Sequence, residues 1–180
     1  MEQETPKKTT KQKASGVLKA TLPYIVIVIV VALIRTFIIT PVQVDGMSMY
    51  PTLDHKEILI LKKYDKSYDR FDIVVFNYND TKLIKRVIGL PGDYVEYKNN
   101  KLYINGKHVK EYFLTDEETY DFSLKDLGYK TIPKGYYFVM GDNRTNSKDS
   151  RIIGLISAKD IEGTTNFAVF PLNKFGNFNK

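Results

Sequence analysis

The sequence predicts a mainly β protein, its antiparallel sheets folded as a partly open barrel and preceded by one transmembrane helix. Three observations carry that expectation: a single long apolar run near the N-terminus, a series of short segments rich in Val, Ile, Tyr and Phe after it, and asparagine and glycine turns between those segments.

The apolar run comes first. Residues 22–39 read LPYIVIVIVVALIRTFII, with ten uninterrupted apolar side chains from Ile25 to Ile34. A helix of about 18 residues spans roughly 27 Å, enough to cross a bilayer core. Arg35 lies near the far end, where its side chain can reach the interface, and Pro23 falls in the first turn, where proline is tolerated. A cleavable leader would need a small-x-small site after the run, but the chain continues Thr40-Pro41-Val42-Gln43. A buried strand pair would need turn residues inside the run, and there are none. The expected layout is a basic cytoplasmic tail over residues 1–20, disordered over 1–16, then a permanent anchor over 21–40 and an extracytoplasmic catalytic domain over 41–180. The orientation follows from five lysines against two glutamates in residues 1–20.

Charge and composition exclude several function classes. Of the net charge of +6, residues 1–20 supply +3, Arg35 supplies +1, and the remainder, 21 basic against 19 acidic residues, supplies +2. The folded part therefore has no concentrated basic excess of the kind nucleic acid requires. With no cysteine and two histidines, disulfides, cysteine-based metal sites and a histidine-rich metal centre are all excluded. The sequence calls for no metal and no cofactor.

Beyond Thr40 the expected strands are residues 42–44, 57–62, 72–78, 82–88, 93–97, 101–104, 136–140, 152–157 and 165–170. Asn99-Asn100 and Asn105-Gly106 read as hairpin turns, and Leu90-Pro91-Gly92-Asp93 as another turn. Residues 111–128, EYFLTDEETYDFSLKDLG, are acidic and irregular, and read as a surface excursion between strands. No repeat and no second folded domain is visible.

Three blocks carry chemistry: DGMSMYPTL at 45–53, KRVIGLPGD at 85–93 and GDNRTNSKDSR at 141–151. The first offers Ser48, whose hydroxyl needs a base within hydrogen-bond reach before it can attack a carbonyl. His55 and His108 both read as turn residues and are not expected to serve. A lysine can serve only when neutral, and a free one is neutral in about one molecule in 2,000 to 3,000 at pH 7; burial lowers its pKa by up to about 3 to 5 units. Lys85 suits this by pattern, since strand alternation puts it on one face with Leu83 and Val87 while Ile84, Arg86 and Ile88 take the other. The segment by itself reads equally well as an edge strand with a solvated lysine.

The three blocks in this order, the single anchor before them and the run FPLNKFG at 170–176 resemble type I bacterial signal peptidase in its short Gram-positive form, over nearly the whole chain. The resemblance implies a Ser-Lys dyad, with Ser48 as nucleophile and Lys85 as general base. It implies that Ser147 orients the lysine amine, that Asp149 pairs with Arg151, and that Asp142 pairs with Arg86. It implies substrate pockets at Val42, Val44, Leu53, Leu83 and Ile84, each of which also reads as plain core. Another branch of the family has a serine where this chain has Gly46, so the second oxyanion donor is left open here. If the backbone at Gly46 suits ordinary residues, Gly46→Ser should be tolerated and Gly46→Val should impair turnover; if Gly46 sits at positive φ, both substitutions should cost stability.

The resemblance further implies cleavage of signal peptides from secretory preproteins after Ala-x-Ala-like sites at the cytoplasmic membrane, with the protein-export translocon as partner. Two other readings remain to be weighed. A self-cleaving Ser-Lys repressor would need a DNA-binding module that residues 1–40 cannot form. A membrane-tethered β-domain for binding or adhesion would not need Ser48 and Lys85.

Overall fold

The computed structural model describes residues 10–64, 66–114 and 118–178, with the side chains of 10–18 left out. The chain divides into two units, Met1–Ile38 and Ile39–Lys180.

In the first unit, α1 runs over Thr10–Phe37, 28 residues. Its stretch Lys19–Phe37 is long and apolar enough to cross a membrane, and its side chains are exposed. A helix that is apolar all round fits lipid rather than water. The helix starts earlier than expected: residues 10–16, predicted to be disordered, are helical, while 1–9 lie outside the described residues. Lys, Gln and Ala there are good helix formers, and extending a helix already nucleated by the apolar run is easy. The helix also stops sooner than the anchor predicted over 21–40. Pro41 biases Thr40 away from helical geometry, and Ile39 and Thr40 instead pair with Lys62 and Leu61.

The second unit is built from antiparallel strands. In chain order they are β1 Ile39–Gln43, β2 Ile58–Lys62, β3 Ile73–Tyr78, β4 Thr81–Gly89, β5 Val95–Lys98, β6 Lys101–Ile104, β7 Lys107–Val109, β8 Phe122–Ser123, β9 Tyr136–Met140, β10 Ile156–Ser157, β11 Ile161–Phe170 and β12 Gly176–Asn177. The larger sheet has the order β1-β2-β11-β3-β4-β9-β10, with β12 added on β11; the smaller one is β7-β6-β5-β8. Its end strands β1 and β10 do not meet, so the larger sheet is open and no closed barrel forms among the described residues.

Local chemistry sets the hairpins. Asn99 and Asn100 take φ of 49° and 61° between β5 and β6, Asn105 takes 52° between β6 and β7, and Asn79 and Asp80 take 47° and 60° between β3 and β4. These left-handed turn residues match the twist of the strands they join. The larger sheet is buried on both faces. Along β3, Ile73 and Val75 enter a cluster with Val42, Val44, Met49 and Leu53, while Val74 and Phe76 enter one with Val87, Val139 and Ile161. A third cluster, around Ile88, Tyr97, Leu102 and Phe138, lies under the smaller sheet.

Two predicted segments differ. Residues 152–157, expected as a strand, begin inside the short helix α2, Ser150–Ile153; only Ile156–Ser157 is extended. The Asp149 carboxylate caps that helix by accepting the Arg151 N–H, a local bond that overrides the β preference of two isoleucines. The excursion at 111–128 is not wholly on the surface. It contains β8 and a 3₁₀ turn, Leu124–Leu127, capped reciprocally by Ser123 and Asp126, and Leu124 is fully buried. Residues 115–117 lie outside the described ones.

Candidate active site

Ser48 lies in the loop that joins β1 to β2. Backbone bonds extend the strand pairing into the loop's neck, Val44 N–H to Glu57 O (2.8 Å) and Lys56 N–H to Val44 O (2.9 Å). Met49 and Leu53 then turn inward and are 1% and 0% exposed. Their burial fixes the short turn, closed by Tyr50 N–H to Met47 O and Leu53 N–H to Met49 O, from which Ser48 projects.

Lys85, from the middle of β4, is 2% exposed. Its amine donates to Ser48 Oγ at 2.7 Å and to the Ile84 carbonyl at 2.9 Å. Burial pushes its pKa down from 10.5 to about 8, against the opposing pull of the Asp149 and Asp142 carboxylates. At pH 7 that leaves about one amine in ten neutral, some two hundredfold or more above a free lysine.

The next residue has the opposite fate. Arg86 donates from Nε to Asp142 Oδ1 (2.9 Å) and from Nη2 to Asp142 Oδ2 (2.6 Å), and both side chains are almost completely buried. Nη1 donates to the Phe71 carbonyl, and the guanidinium lies 3.8 Å from the Phe113 ring centroid. Thr52 Oγ1 donates to the same Asp142 (2.6 Å), tying the serine loop to the third block. Arg86 thus has a carboxylate facing it, while Lys85, without a carboxylate partner of its own, is driven towards neutrality by burial.

The third block packs directly on the serine loop. Asn143 donates its backbone N–H to Ser48 O (3.1 Å) and its side-chain amide to Met47 O (3.2 Å). Asp149 accepts the Gly141 N–H (3.0 Å) and pairs with Arg151 through two bonds of 2.8 Å. Only glycine fits at 141, since an added Cβ would run into Ser147 Oγ and the Ser48 carbonyl oxygen. The sequence did not single out Arg144, which is buried and donates to Gly141 O, Tyr97 Oη, Thr119 Oγ1 and Glu111. Thr119, Glu111 and Tyr97 lie 25 to 47 residues away along the chain, so no local spacing signals them.

Two expectations need correction, the Ser147 bond to the lysine amine and Leu53 as a pocket wall. Ser147 makes no bond to the lysine amine: its Oγ is buried and has no hydrogen-bond partner, the amine being engaged by Ser48 and Ile84. Val42, Val44, Leu83 and Ile84 line a shallow cavity together with Ser48 and Lys85. Leu53 does not reach it, because it is fully buried in the cluster beneath. Gln43, Asp45, Met49 and Lys82 also line that cavity, and alternation alone did not point to them. Gly46 has φ of +92° and gives its N–H to His55 Nδ1 (3.1 Å), so this N–H faces away from the chemistry. His55 and His108 are both exposed.

Antiparallel sheets that set a half-buried serine hydroxyl against a buried lysine amine fit one class, the serine peptidases. The comparisons narrow it. The sequence profile described as signal peptidase, peptidase S26, matches residues 17–170. Signal peptidase I S of Bacillus subtilis (strain 168) is 44% identical over 172 residues, covering 90% of this chain and 94% of that protein. Signal peptidase I T of the same organism is 43% identical over 178 residues, covering 93% and 92%. The crystal structure of a signal peptidase I from Enterococcus faecalis V583 is similar with a TM-score of 0.51 and 39% identity, over 54% of this chain and 96% of that one. The chain belongs to the signal peptidase family, peptidase S26.

Proposed function

We propose that this protein is a membrane-anchored serine endopeptidase that removes N-terminal signal peptides from exported preproteins, with Ser48 as nucleophile and Lys85 as general base. The observation that carries the reading is the 2.7 Å contact between Lys85 Nζ and Ser48 Oγ, made by an amine whose pKa burial lowers to about 8.

When neutral, Lys85 accepts the Ser48 hydroxyl proton as Oγ attacks the scissile carbonyl carbon. The C–N bond then breaks as the ammonium returns that proton to the leaving amine, which leaves an acyl-serine. Water, deprotonated by the same lysine, hydrolyses the ester. The Ser48 N–H has no acceptor among the described residues and serves as one oxyanion donor. Ser147 orients the amine in the acyl-enzyme, where the esterified Ser48 Oγ no longer holds it; its buried, unpaired hydroxyl supports that role. The Asp149–Arg151 and Asp142–Arg86 pairs hold the two loops in register.

The substrate lies extended along the open side of β1, with small side chains in the shallow cavity between Val42, Val44, Leu83 and Ile84. Bulky apolar walls leave room for alanine, which fits an Ala-x-Ala-like site. The lysines before the apolar run support a cytoplasmic N-terminus with the domain outside, a tail over 1–20, an anchor over 21–40 and a catalytic part over 41–180. The protein-export translocon is the expected partner on the strength of the family alone. The deciding experiment uses purified full-length protein and a synthetic peptide with an Ala-x-Ala site: wild type cuts after the second alanine and Ser48→Ala does not. A binding or adhesion module would be indifferent to that change.

A further inference from the structure

The run FPLNKFG at 170–176 belongs to the family likeness but takes no part in the Ser48–Lys85 chemistry. In the structure it forms a hook. After β11 a 3₁₀ turn spans Leu172–Lys174, and β12 then returns to pair with Phe167 and Ala168. An edge-to-face contact of Phe167 and Phe175 (5.1 Å) and a Phe178 N–H to Asn166 O bond (3.1 Å) hold the hook closed.

The hook touches the serine loop at two places. Phe178 packs against the cluster that contains Met49 and Leu53, and it lines a cavity of about 420 Å³ with Pro51 and Thr52. Lys174 Nζ donates to Asp54 Oδ2 and Glu57 Oε1, both at 2.5 Å. Glu57 stands at the loop's neck, where its carbonyl accepts the Val44 N–H. Its side chain is 3% exposed, and Lys174 is the carboxylate's sole partner among the described residues. A carboxylate buried so deeply needs a counter-charge. Without one, Glu57 would have to turn out to water and would repel Asp54, opening the neck.

We propose that the C-terminal hook braces the nucleophile loop and that Lys174 is a positioning residue for Ser48, acting through Asp54 and Glu57. Lys174 touches neither substrate nor the reacting atoms. The proposal rests on Ser48 as nucleophile. Its effect falls on the placement of Ser48 Oγ against Lys85, where a displacement of about 1 Å can cost as much as 100-fold in rate.

The test uses full-length protein in detergent micelles and a peptide with an Ala-x-Ala site. Active sites are counted with a serine-directed acylating probe, and thermal midpoints are recorded for every variant. Lys174→Met should lower kcat per active site about tenfold with KM changed less than about twofold, and Lys174→Arg should keep most of the activity. Asp54→Asn, which leaves Glu57 paired, should show a smaller loss in kcat. A wild-type kcat per active site in Lys174→Met overturns the proposal, as does an arginine variant that folds but is as slow as the methionine one. If Lys174→Met does not fold, Asp54→Asn decides: lowered kcat supports the brace and unchanged kcat sinks it. Continued cutting by Ser48→Ala would instead remove the nucleophile reading itself, whatever Lys174 does.

Discussion

At the scale of single residues, the site exchanges stability for reactivity. Lys85 has a folded pKa of about 8 against 10.5 for a free lysine. The unfolded chain therefore binds more protons between those values: stability rises with pH across that window, and the full cost, on the order of 3 kcal/mol, is present below pH 8. Lys85→Met should abolish cleavage yet raise the melting temperature at pH 6, with the gain shrinking towards pH 10.5; thermal melts across pH check this. In the wild type, kcat should rise with pH along a limb near 8. Ser147 is a second such case. Ser147→Ala removes a buried hydroxyl that has no partner, so it should stabilise by about 1 kcal/mol in urea unfolding while lowering kcat. A variant with unchanged kcat would show that Ser147 does not orient the amine. Gly46 is constrained by its backbone and not by space, since an added Cβ meets nothing within 4 Å. At φ of +92°, the positive-φ case applies, and Gly46→Ser and Gly46→Val should each cost about 1 to 2 kcal/mol, the valine more. Unfolding midpoints of both variants measure it.

Among the elements, the hairpins were legible because their causes are local, whereas the pairing of Ser48 with Lys85 was reached through the family resemblance. Asn99-Asn100 and Asn105-Gly106 specify turns by themselves, and the alternation around Lys85 was compatible with a buried lysine without deciding it. What was not legible depends on distant chain. Leu53 looks like a pocket wall until the cluster beneath the loop claims it, and the acidic excursion looks solvated until Glu111 meets Arg144, 33 residues on. The 152–157 segment failed for a different reason, a capping bond from Asp149 that outweighs β propensity. The Arg86–Asp142 pair joins β4 to the third block with both charges buried. Asp142→Ala leaves an arginine buried without its counter-ion and should cost about 3 to 5 kcal/mol. Asp142→Leu combined with Arg86→Met should recover much of that loss while leaving the serine loop without its Thr52 anchor. Urea unfolding of the single and double variants separates the two effects.

Over the whole molecule, the basic excess sits before the apolar helix and the rest of the chain is nearly neutral, 21 basic against 19 acidic residues. That asymmetry sets the expected orientation. Protease added outside wall-stripped cells should digest the part after residue 40 and spare residues 1–20. A reporter active only in the cytoplasm, fused after Lys180, should stay silent; an active fusion would reverse the topology.

Among the described residues β1 pairs with β2 on one side only, and Pro41 stands opposite Ile60 within that pair. A strand with an open side invites another copy of the same chain to add on, and anchoring in a bilayer would confine all copies to one plane, where their edges meet often. A sheet accommodates proline where its missing N–H would face the open side. The donor row of β1 is therefore interrupted just beyond Thr40, leaving only a short stretch that can receive an extended chain. An edge so shortened would be too short to seed a growing stack of its own kind.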